Sequence, residues 1–300
     1  MLKIGFHLPE TERIAPWSEL SALCRTAEDV GFDSIWVPDH LIYRFENQEP
    51  TGPWECWSLL SAIAAITNRV ELGPLVLCTN FRNPALIAKM ATTVDEISGG
   101  RLILGLGAGW HEPEYTAYGF DFEHRFGRFQ EAFTIIRTLL SDHQIDFTGK
   151  YFTLRDCELF PSGPRASGPP LMIGSQGEKI LHATLPWVQY WNGWYAWTGN
   201  TAAGYPSLHA RIDAAAIDAG CAPEAIVRTM AMLLRFPHGS GPVDRRAALI
   251  QGDEEVMANA LLELHQSGVD HIQVVLEPNG LAEVERFGHV LEKVRKHAAA

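Results

Sequence analysis

Residues 70–112 read VELGPLVLCTNFRNPALIAKMATTVDEISGGRLILGLGAGWHE, and this stretch decides the fold. An aliphatic run over 70–77 predicts a strand, although a proline inside it indicates a bulge or a special peptide geometry. A helix follows, with Asn83-Pro84 as its predicted start and Gly99-Gly100 as its predicted end. A second strand over 102–104 completes a βαβ unit, which is the building block of parallel sheets.

Glycines stand at alternate positions after this second strand begins, at Gly105, Gly107 and Gly109. Alternate residues of a strand share a face, so this face has no side chains and something flat or bulky can approach it. Close packing of a helix or a barrel corner is the alternative explanation. The dinucleotide-binding fingerprint is excluded, because Trp110 stands where a small residue is needed and residues 111–113 predict a turn before any helix.

Bulk composition narrows the class of protein. Its 300 residues suit one α/β barrel, for which ~250 residues plus insertions is usual. The net charge of -12 argues against nucleic acid and membrane as partners.

The five cysteines lack CxxC spacing, which fits a reducing cytoplasm and argues against disulfides and structural zinc. There is no signal-peptide pattern and no apolar run approaching the ~20 residues of a membrane span. We expect a cytoplasmic protein without a metal site.

Strand-like and helix-like segments alternate from end to end, which predicts a (β/α)8 TIM barrel. The predicted strands are 3–8, 34–37, 70–77, 102–104, 171–173, 188–192, 226–236 and 270–276, with a glycine-rich exit at 237–242 after the seventh. We expect a single barrel domain over residues 1–300. Residues 142–168 break the alternation with a hairpin and a proline-rich loop, and we expect them to form an insertion, after the fourth helix region, over the barrel mouth.

Asp39-His40 is the first candidate for chemistry. The pair follows the second predicted strand directly, at the end where the functional face of such a barrel lies. A carboxylate beside a histidine can hold the ring in one tautomer, and the ring then titrates near neutrality, as a proton donor or acceptor must. A histidine that caps the following loop, or is satisfied by its neighbour, is the alternative.

The segment Gly174-Ser175-Gln176-Gly177 is the second candidate. It connects the fifth predicted strand to a helix, and amides at the start of a helix after a glycine-rich turn form an anion site, to which Lys179 could add charge. The segment is not a Walker loop, because Ile180 stands where Ser or Thr is required. An ordinary strand-to-helix turn is the alternative.

Other residues at the predicted mouth carry weaker hypotheses. Glu112 and Glu114 are equally well explained as helix-start carboxylates, which the helix dipole favours. Arg125 and Arg128 could bind a ligand or pair within their own helix. The aromatic segment 187–197 could wall an apolar pocket or belong to the core.

These motifs resemble the luciferase-like monooxygenase superfamily, and within it the oxidoreductases that depend on coenzyme F420, an 8-hydroxy-5-deazaflavin. The most specific match is SGGRLILGLGAGWHEPEYTAYG at 98–119. Independent support comes from NPALIAKMATTVDEISGG, VPDH, HRFGRFQEAFTIIRTLL and PPLMIGSQGEK. The resemblance covers most of the chain and implies a barrel with an insertion over its mouth, usually a homodimer.

The resemblance also implies where a cofactor lies. The deazaflavin would cross the carboxyl ends of the strands, with a non-proline cis peptide near Leu75-Val76 supporting its ring. His40 would stand beside the reactive ring, with Asp39 as its catalytic partner. The other implied cofactor contacts are Gly107, Ala108, Gly109 and Trp110 near the ring and Gly174, Ser175, Gln176 and Gly177 around the phosphate. The implied reaction is hydride transfer between F420 and a small organic substrate, with His40 managing the proton.

Departures from the family pattern limit the substrate. The sugar-phosphate dehydrogenase of this family has a glutamate where this chain has Trp110 and a tryptophan where it has Arg44, which argues against that substrate. At the end of the sixth strand, Tyr190 replaces a glycine of the family and alters the expected pocket.

Two alternative functions share the fold, and fold alone does not choose among them. One is an FMN-dependent monooxygenase that receives reduced flavin from a separate reductase and uses dioxygen. The other is a barrel that binds flavin or a metabolite without catalysis.

Overall fold

Twelve strands and nine helices are present in the structure, a computed structural model that describes residues 2–10, 13–237 and 248–298. The strands are β1 (Lys3–His7), β2 (Ser34–Val37), β3 (Glu71–Pro74), β4 (Leu77–Cys78), β5 (Leu104–Gly107), β6 (Gln144–Thr148), β7 (Thr153–Glu158), β8 (Leu171–Ile173), β9 (Tyr190–Gly193), β10 (Val227–Arg235), β11 (Ile250–Gln251) and β12 (His271–Glu277). The helices are α1 (Trp17–Val30), α2 (Cys56–Ile66), α3 (Pro84–Ser98), α4 (Glu112–Tyr118), α5 (Arg125–Asp142), α6 (Glu178–Thr184), α7 (Tyr205–Asp218), α8 (Glu254–Gln266) and α9 (Leu281–Ala298). Apart from Pro237, the predicted glycine-rich exit lies outside the described residues.

The main sheet closes on itself. Its hydrogen-bonded order is β3-β2-β1-β12-β10-β9-β8-β5-β4, with parallel pairing throughout. β3 and β4 are two halves of one strand, interrupted at Leu75-Val76, where the peptide bond is cis. A bridge between Leu72 and Leu102 adds contact between β3 and the segment entering β5. The ring therefore has eight strand positions, which confirms the (β/α)8 fold class and the expected place of the cis peptide.

Helix α3 shows why the opening stretch folds as predicted. The Asn83 side chain accepts hydrogen bonds from the amides of Ala85 and Leu86, at 2.9 and 3.4 Å, and Gly99 ends the helix with a left-handed φ of 67°. Ile87 is fully buried, but Leu86 is 52% exposed. The apolar spacing predicted the helix correctly, although it extended the buried face too far around it.

Residues 142–168 were expected to form an insertion over the barrel mouth, and that position stays a prediction. Their described contacts are with α5, α3 and the segment entering β5. The hairpin β6-β7 packs along α5, whose Glu131 carboxylate accepts hydrogen bonds from three amides at the hairpin turn. Farther along, Arg165 binds Asp95 near the end of α3 and the carbonyl of Leu102.

The described helices include none with the length and apolarity needed to cross a bilayer. Within the same residues, no group of three or more His, Cys, Asp or Glu side chains is placed to hold a metal ion. The cytoplasmic location stays a prediction.

Candidate active site at the carboxyl ends of the strands

His40 lies at the barrel mouth between two carboxylates. Its Nδ1 is 2.9 Å from Oε1 of Glu114, and its Nε2 is 3.8 Å from Oε1 of Glu10, in the segment after β1. The ring of Tyr43 covers it at a centroid distance of 4.4 Å, and the ring of Trp110 meets it edge-on at 5.7 Å. The His40 side chain is only 14% exposed, so its orientation is set by these four neighbours.

The surroundings of His40 favour its protonated form. Burial alone would lower the pKa of His40, but the hydrogen bond with Glu114 and the charges of Glu10 and Glu114 outweigh burial. The net result is a pKa raised above the usual value for histidine. A histidine with a raised pKa keeps its proton to higher pH than a free imidazole and can still release it, which suits proton transfer.

Glu114 positions the imidazole, and the sequence did not single it out for this role. Its side chain is fully buried, although it belongs to the first turn of α4. One carboxylate oxygen meets His40, and the other accepts a 2.9 Å hydrogen bond from the amide of Leu41. Glu114 therefore fixes both the ring and the backbone that follows it.

Asp39 does not hold the His40 ring, contrary to the expectation from their adjacency. The Arg82 guanidinium donates two 2.8 Å hydrogen bonds to its carboxylate, and the Cys78 amide donates another of 2.8 Å. Burial raises the pKa of Asp39, while the Arg82 charge opposes that shift. Neighbouring residues in an extended segment point in opposite directions, so Asp39 turns to α2 and β4 while His40 turns to the mouth.

Neighbouring groups already fill the column without side chains: Val76 lies against Gly105 and Gly107, and Tyr115 lies against Gly109. A Cβ atom added at Gly105 or Gly107 would lie 2.9 Å from a Val76 methyl, and one added at Gly174 would meet the same side chain at 2.9 Å. The glycines therefore make room for the residue after the cis peptide, as close packing predicts. Val76 itself remains partly exposed, so its side chain forms the floor of the mouth.

The loop after β5 forms one wall. Gly109 has a φ of 74°, and a Cβ there would lie 2.2 Å from the Tyr115 hydroxyl. That hydroxyl donates to the carbonyl of Ala108, and Asn80 donates to the same carbonyl at 3.0 Å. Trp110 follows and is 56% exposed beside His40. Only glycine fits at position 109, and the hydrogen bonds from Tyr115 and Asn80 to Ala108 fix the position of the loop.

The segment 174–177 lies at the same mouth, next to Val76. The Ser175 hydroxyl accepts from the amide of Gly177 at 3.1 Å, and the Ser175 carbonyl accepts from the Trp191 indole at 2.7 Å. Arg211 donates to the carbonyl of Gln176 at 3.3 Å. The turn is thus ordered by its own hydrogen bonds and has the Arg211 cation beside it. This arrangement is compatible with an anionic group.

Tyr190, the replacement in the sixth strand, does not reach the mouth. It begins β9, where it pairs with Met172, and packs with the interior cluster of Trp36, Leu75, Ile103 and Met172. Burial raises the pKa of its hydroxyl, and the nearby charges of Glu71 and Lys3 act in opposite directions. The substitution therefore fills part of the barrel interior, and its effect on the pocket stays a prediction.

Comparison with known proteins supports a family assignment. A family model described as "Luciferase-like monooxygenase" matches residues 3–238. An F420-dependent glucose-6-phosphate dehydrogenase of Amycolatopsis mediterranei is 37% identical over 187 residues, 60% of this chain and 54% of that protein. Pyrimidine monooxygenase RutA of Cronobacter turicensis is 33% identical over 172 residues, 55% of this chain and 44% of that protein. The chain thus spans about half the length of the curated relatives it matches.

Solved structures extend the similarity of fold. An F420-dependent secondary alcohol dehydrogenase, in complex with an F420-acetone adduct, superposes with a TM-score of 0.83 at 21% identity, over 98% of this chain and 99% of the other. At that identity the likeness shows the shared fold.

Proposed function

Because the chain belongs to the luciferase-like monooxygenase family, we propose that it is an oxidoreductase that transfers a hydride between coenzyme F420 and a small organic substrate. The observation that carries the proposal is the buried His40 at the mouth, whose ring is held by Glu114. The 37% identical relative is named as an F420-dependent enzyme, which supports the choice of cofactor.

The residues at the mouth fit a flat ring with an anionic tail. Val76 and Leu75 would support the ring from below, and residues 107–110 would wall it. Residues 174–177 would hold the phosphate. The structural support is the set of glycines at which a Cβ atom would push Val76 out of the floor. When bound, F420 supplies a ring carbon that gives or accepts a hydride.

His40 donates or accepts the proton in this proposal. Its Nδ1 is engaged by Glu114, so Nε2 is the atom that gives or takes a proton at the mouth. The raised pKa favours the protonated ring, which suits donation to a carbonyl oxygen being reduced. Tyr43 and Trp110 cover the ring and limit the access of water to it.

Asp39 acts in this proposal as a positioning residue. Its ion pair with Arg82, together with the Cys78 amide, ties the segment carrying His40 to β4. We infer that it fixes where His40 stands and takes no part in proton transfer.

The decisive experiment titrates the purified protein separately with F420 and with FMN, followed by fluorescence and absorbance. Quenching of F420 at micromolar concentration without FMN binding supports the proposal. Binding of neither cofactor would refute it, and F420 binding without turnover over a broad substrate screen would leave a non-catalytic binding protein.

His40→Ala tests the assigned role. We expect F420 affinity to be retained and the rate to fall on the order of 10²-fold, as for loss of a general acid or base. His289→Ala is the matched control, since that side chain is 70% exposed on α9. A His40→Ala rate equal to that of the control would contradict the role.

An FMN-dependent monooxygenase is the second candidate. The 33% identical pyrimidine monooxygenase supports it. Tight FMN binding together with turnover that consumes dioxygen and needs a separate reductase would replace the first proposal by this one. A homodimer stays a prediction for either function, to be measured by light scattering coupled to gel filtration.

A further inference from the structure

His7 is a buried imidazole that the proposed chemistry does not use. It is the last residue of β1 and is 2% exposed. A Cβ at Gly5, two residues earlier, would lie 2.2 Å from the Ser34 hydroxyl and 2.6 Å from the indole nitrogen of Trp36. Both side chains are buried inside the barrel. Since residues two apart on a strand share a face, His7 also points into the barrel, one step nearer the mouth.

His7 has an aromatic neighbour, and the charged groups that act on it are Glu10 and His40. The Trp194 ring meets it edge-on at a centroid distance of 5.9 Å. Trp194 in turn packs on the interior cluster of Tyr195, Ala231, Leu233 and Val275. Trp194 itself is partly exposed.

One nitrogen of this imidazole is unpaired. Among the described residues, Nε2 of His7 has no hydrogen-bond partner. Buried polar atoms are nearly always paired, so an unpaired one near a binding site points to a group that arrives with a ligand. Burial lowers the pKa of His7, and the smaller effect of Glu10 does not reverse this, so the ring is neutral and offers a hydrogen bond without a charge.

We propose that His7 is a specificity-determining residue whose Nε2 hydrogen-bonds an uncharged carbonyl or hydroxyl oxygen of the substrate. This inference rests on the proposed function and narrows its substrate class. A neutral nitrogen beside an aromatic wall offers a hydrogen bond without a charge, so it suits a compact molecule with one uncharged oxygen better than a phosphorylated or carboxylated one. Because Trp194 lies against the ring, its indole has to give way as the oxygen reaches Nε2.

The test uses cyclohexanone and methylenecyclohexane, which have the same shape with and without the oxygen. Their dissociation constants are measured by NMR titration of the whole chain, with and without F420. For His7→Phe we expect cyclohexanone to bind about tenfold more weakly, the loss of one hydrogen bond. His7→Gln, which keeps a hydrogen-bonding side chain, should recover most of that loss. Methylenecyclohexane should bind all variants equally, and His289→Phe is the surface control.

Three results would overturn the assignment. Equal cyclohexanone affinity in wild type and His7→Phe would mean that Nε2 meets only water. An equal loss for both compounds would mean that His7 only packs. Failure of cyclohexanone to bind the wild-type chain would refute the proposal that the substrate is a compact molecule with one uncharged oxygen. If His7→Phe does not fold, the wild-type chain is tested by the ¹⁵N NMR signal of the His7 ring. That signal is assigned by its absence in His7→Gln. It must shift when cyclohexanone is added and must not shift with methylenecyclohexane. Absence of F420 binding refutes the proposed function separately, because the titrations without F420 still report on His7.

Discussion

Glu114→Gln is the sharpest test of the geometry around His40. The carboxylate accepts two hydrogen bonds of 2.9 Å, one on each oxygen, from His40 and from the amide of Leu41. A glutamine offers one acceptor oxygen and one NH2 group. If the glutamine oxygen accepts the hydrogen bond from the Leu41 amide, its NH2 group faces Nδ1 of His40. Nδ1 must then lose its proton to accept a hydrogen bond from that group.

Both stability and protonation should change. A donor facing a donor in a buried site costs about 1–3 kcal/mol, so the free energy of unfolding should fall by up to that amount. The pKa of His40 should fall, because Glu114 supplies the hydrogen bond that raises it against burial. If the ring changes tautomer instead of clashing, the stability loss will be small, but the fall in pKa will remain.

The sign of the pH dependence follows from the raised pKa. Stability gained from protonated His40 is complete below the unfolded pKa of about 6.5 and is lost as the pH rises through the folded pKa. The deficit of Glu114→Gln should therefore be largest in mildly acidic buffer and shrink above the folded pKa of the wild type.

The assays are urea unfolding at several pH values and an NMR titration of His40, assigned with His40→Ala. Glu112→Gln is the matched control, since Glu112 lies on the same first turn of α4 but is exposed. An unchanged His40 pKa in Glu114→Gln, with a pH profile equal to that of Glu112→Gln, would refute the assignment of Glu114 as the group that holds the ring.

Two further substitutions test the support of the site. Arg82→Met leaves Asp39 buried without its cation and should lower the free energy of unfolding by about 3–5 kcal/mol, measured in urea, whereas a loss under 1 kcal/mol would contradict the pairing. Gly174→Ala places a Cβ 2.9 Å from Val76 and should cost about 1–3 kcal/mol and weaken F420 binding. Gly177→Ala, whose Cβ would have its nearest contact at 3.6 Å, is the control for stability, and an equal free energy of unfolding in the two variants would mean that Val76 does not pack tightly against Gly174.

The barrel and its element order could be predicted because their signals are local. The start of α3 needs only Asn83 and Pro84, and the alternation of apolar segments needs no knowledge of distant contacts. The cis peptide at Leu75-Val76 came from resemblance to a family, since one proline in an apolar run indicates only that something unusual occurs there.

The partners within the site could not be predicted in the same way. His40 meets Glu114 across 74 positions of sequence, whereas adjacency suggested Asp39. The glycine pattern showed that a face was empty but not that Val76, on another strand, would cover it. His7 gave no signal, because one polar residue at the end of a strand is common, and only the three-dimensional surroundings show that Nε2 is unpaired.

Arg82 joins three separate parts of the chain. Its guanidinium binds Asp39 after β2 and Glu55 at the start of α2, and Asp39 binds the amide of Cys78 in β4. These segments must shift together or not at all, so thermal motion at the rim is collective rather than local. Hydrogen exchange should therefore report one common opening free energy for the amides of residues 57, 58 and 78, which donate to the carboxylates that Arg82 joins.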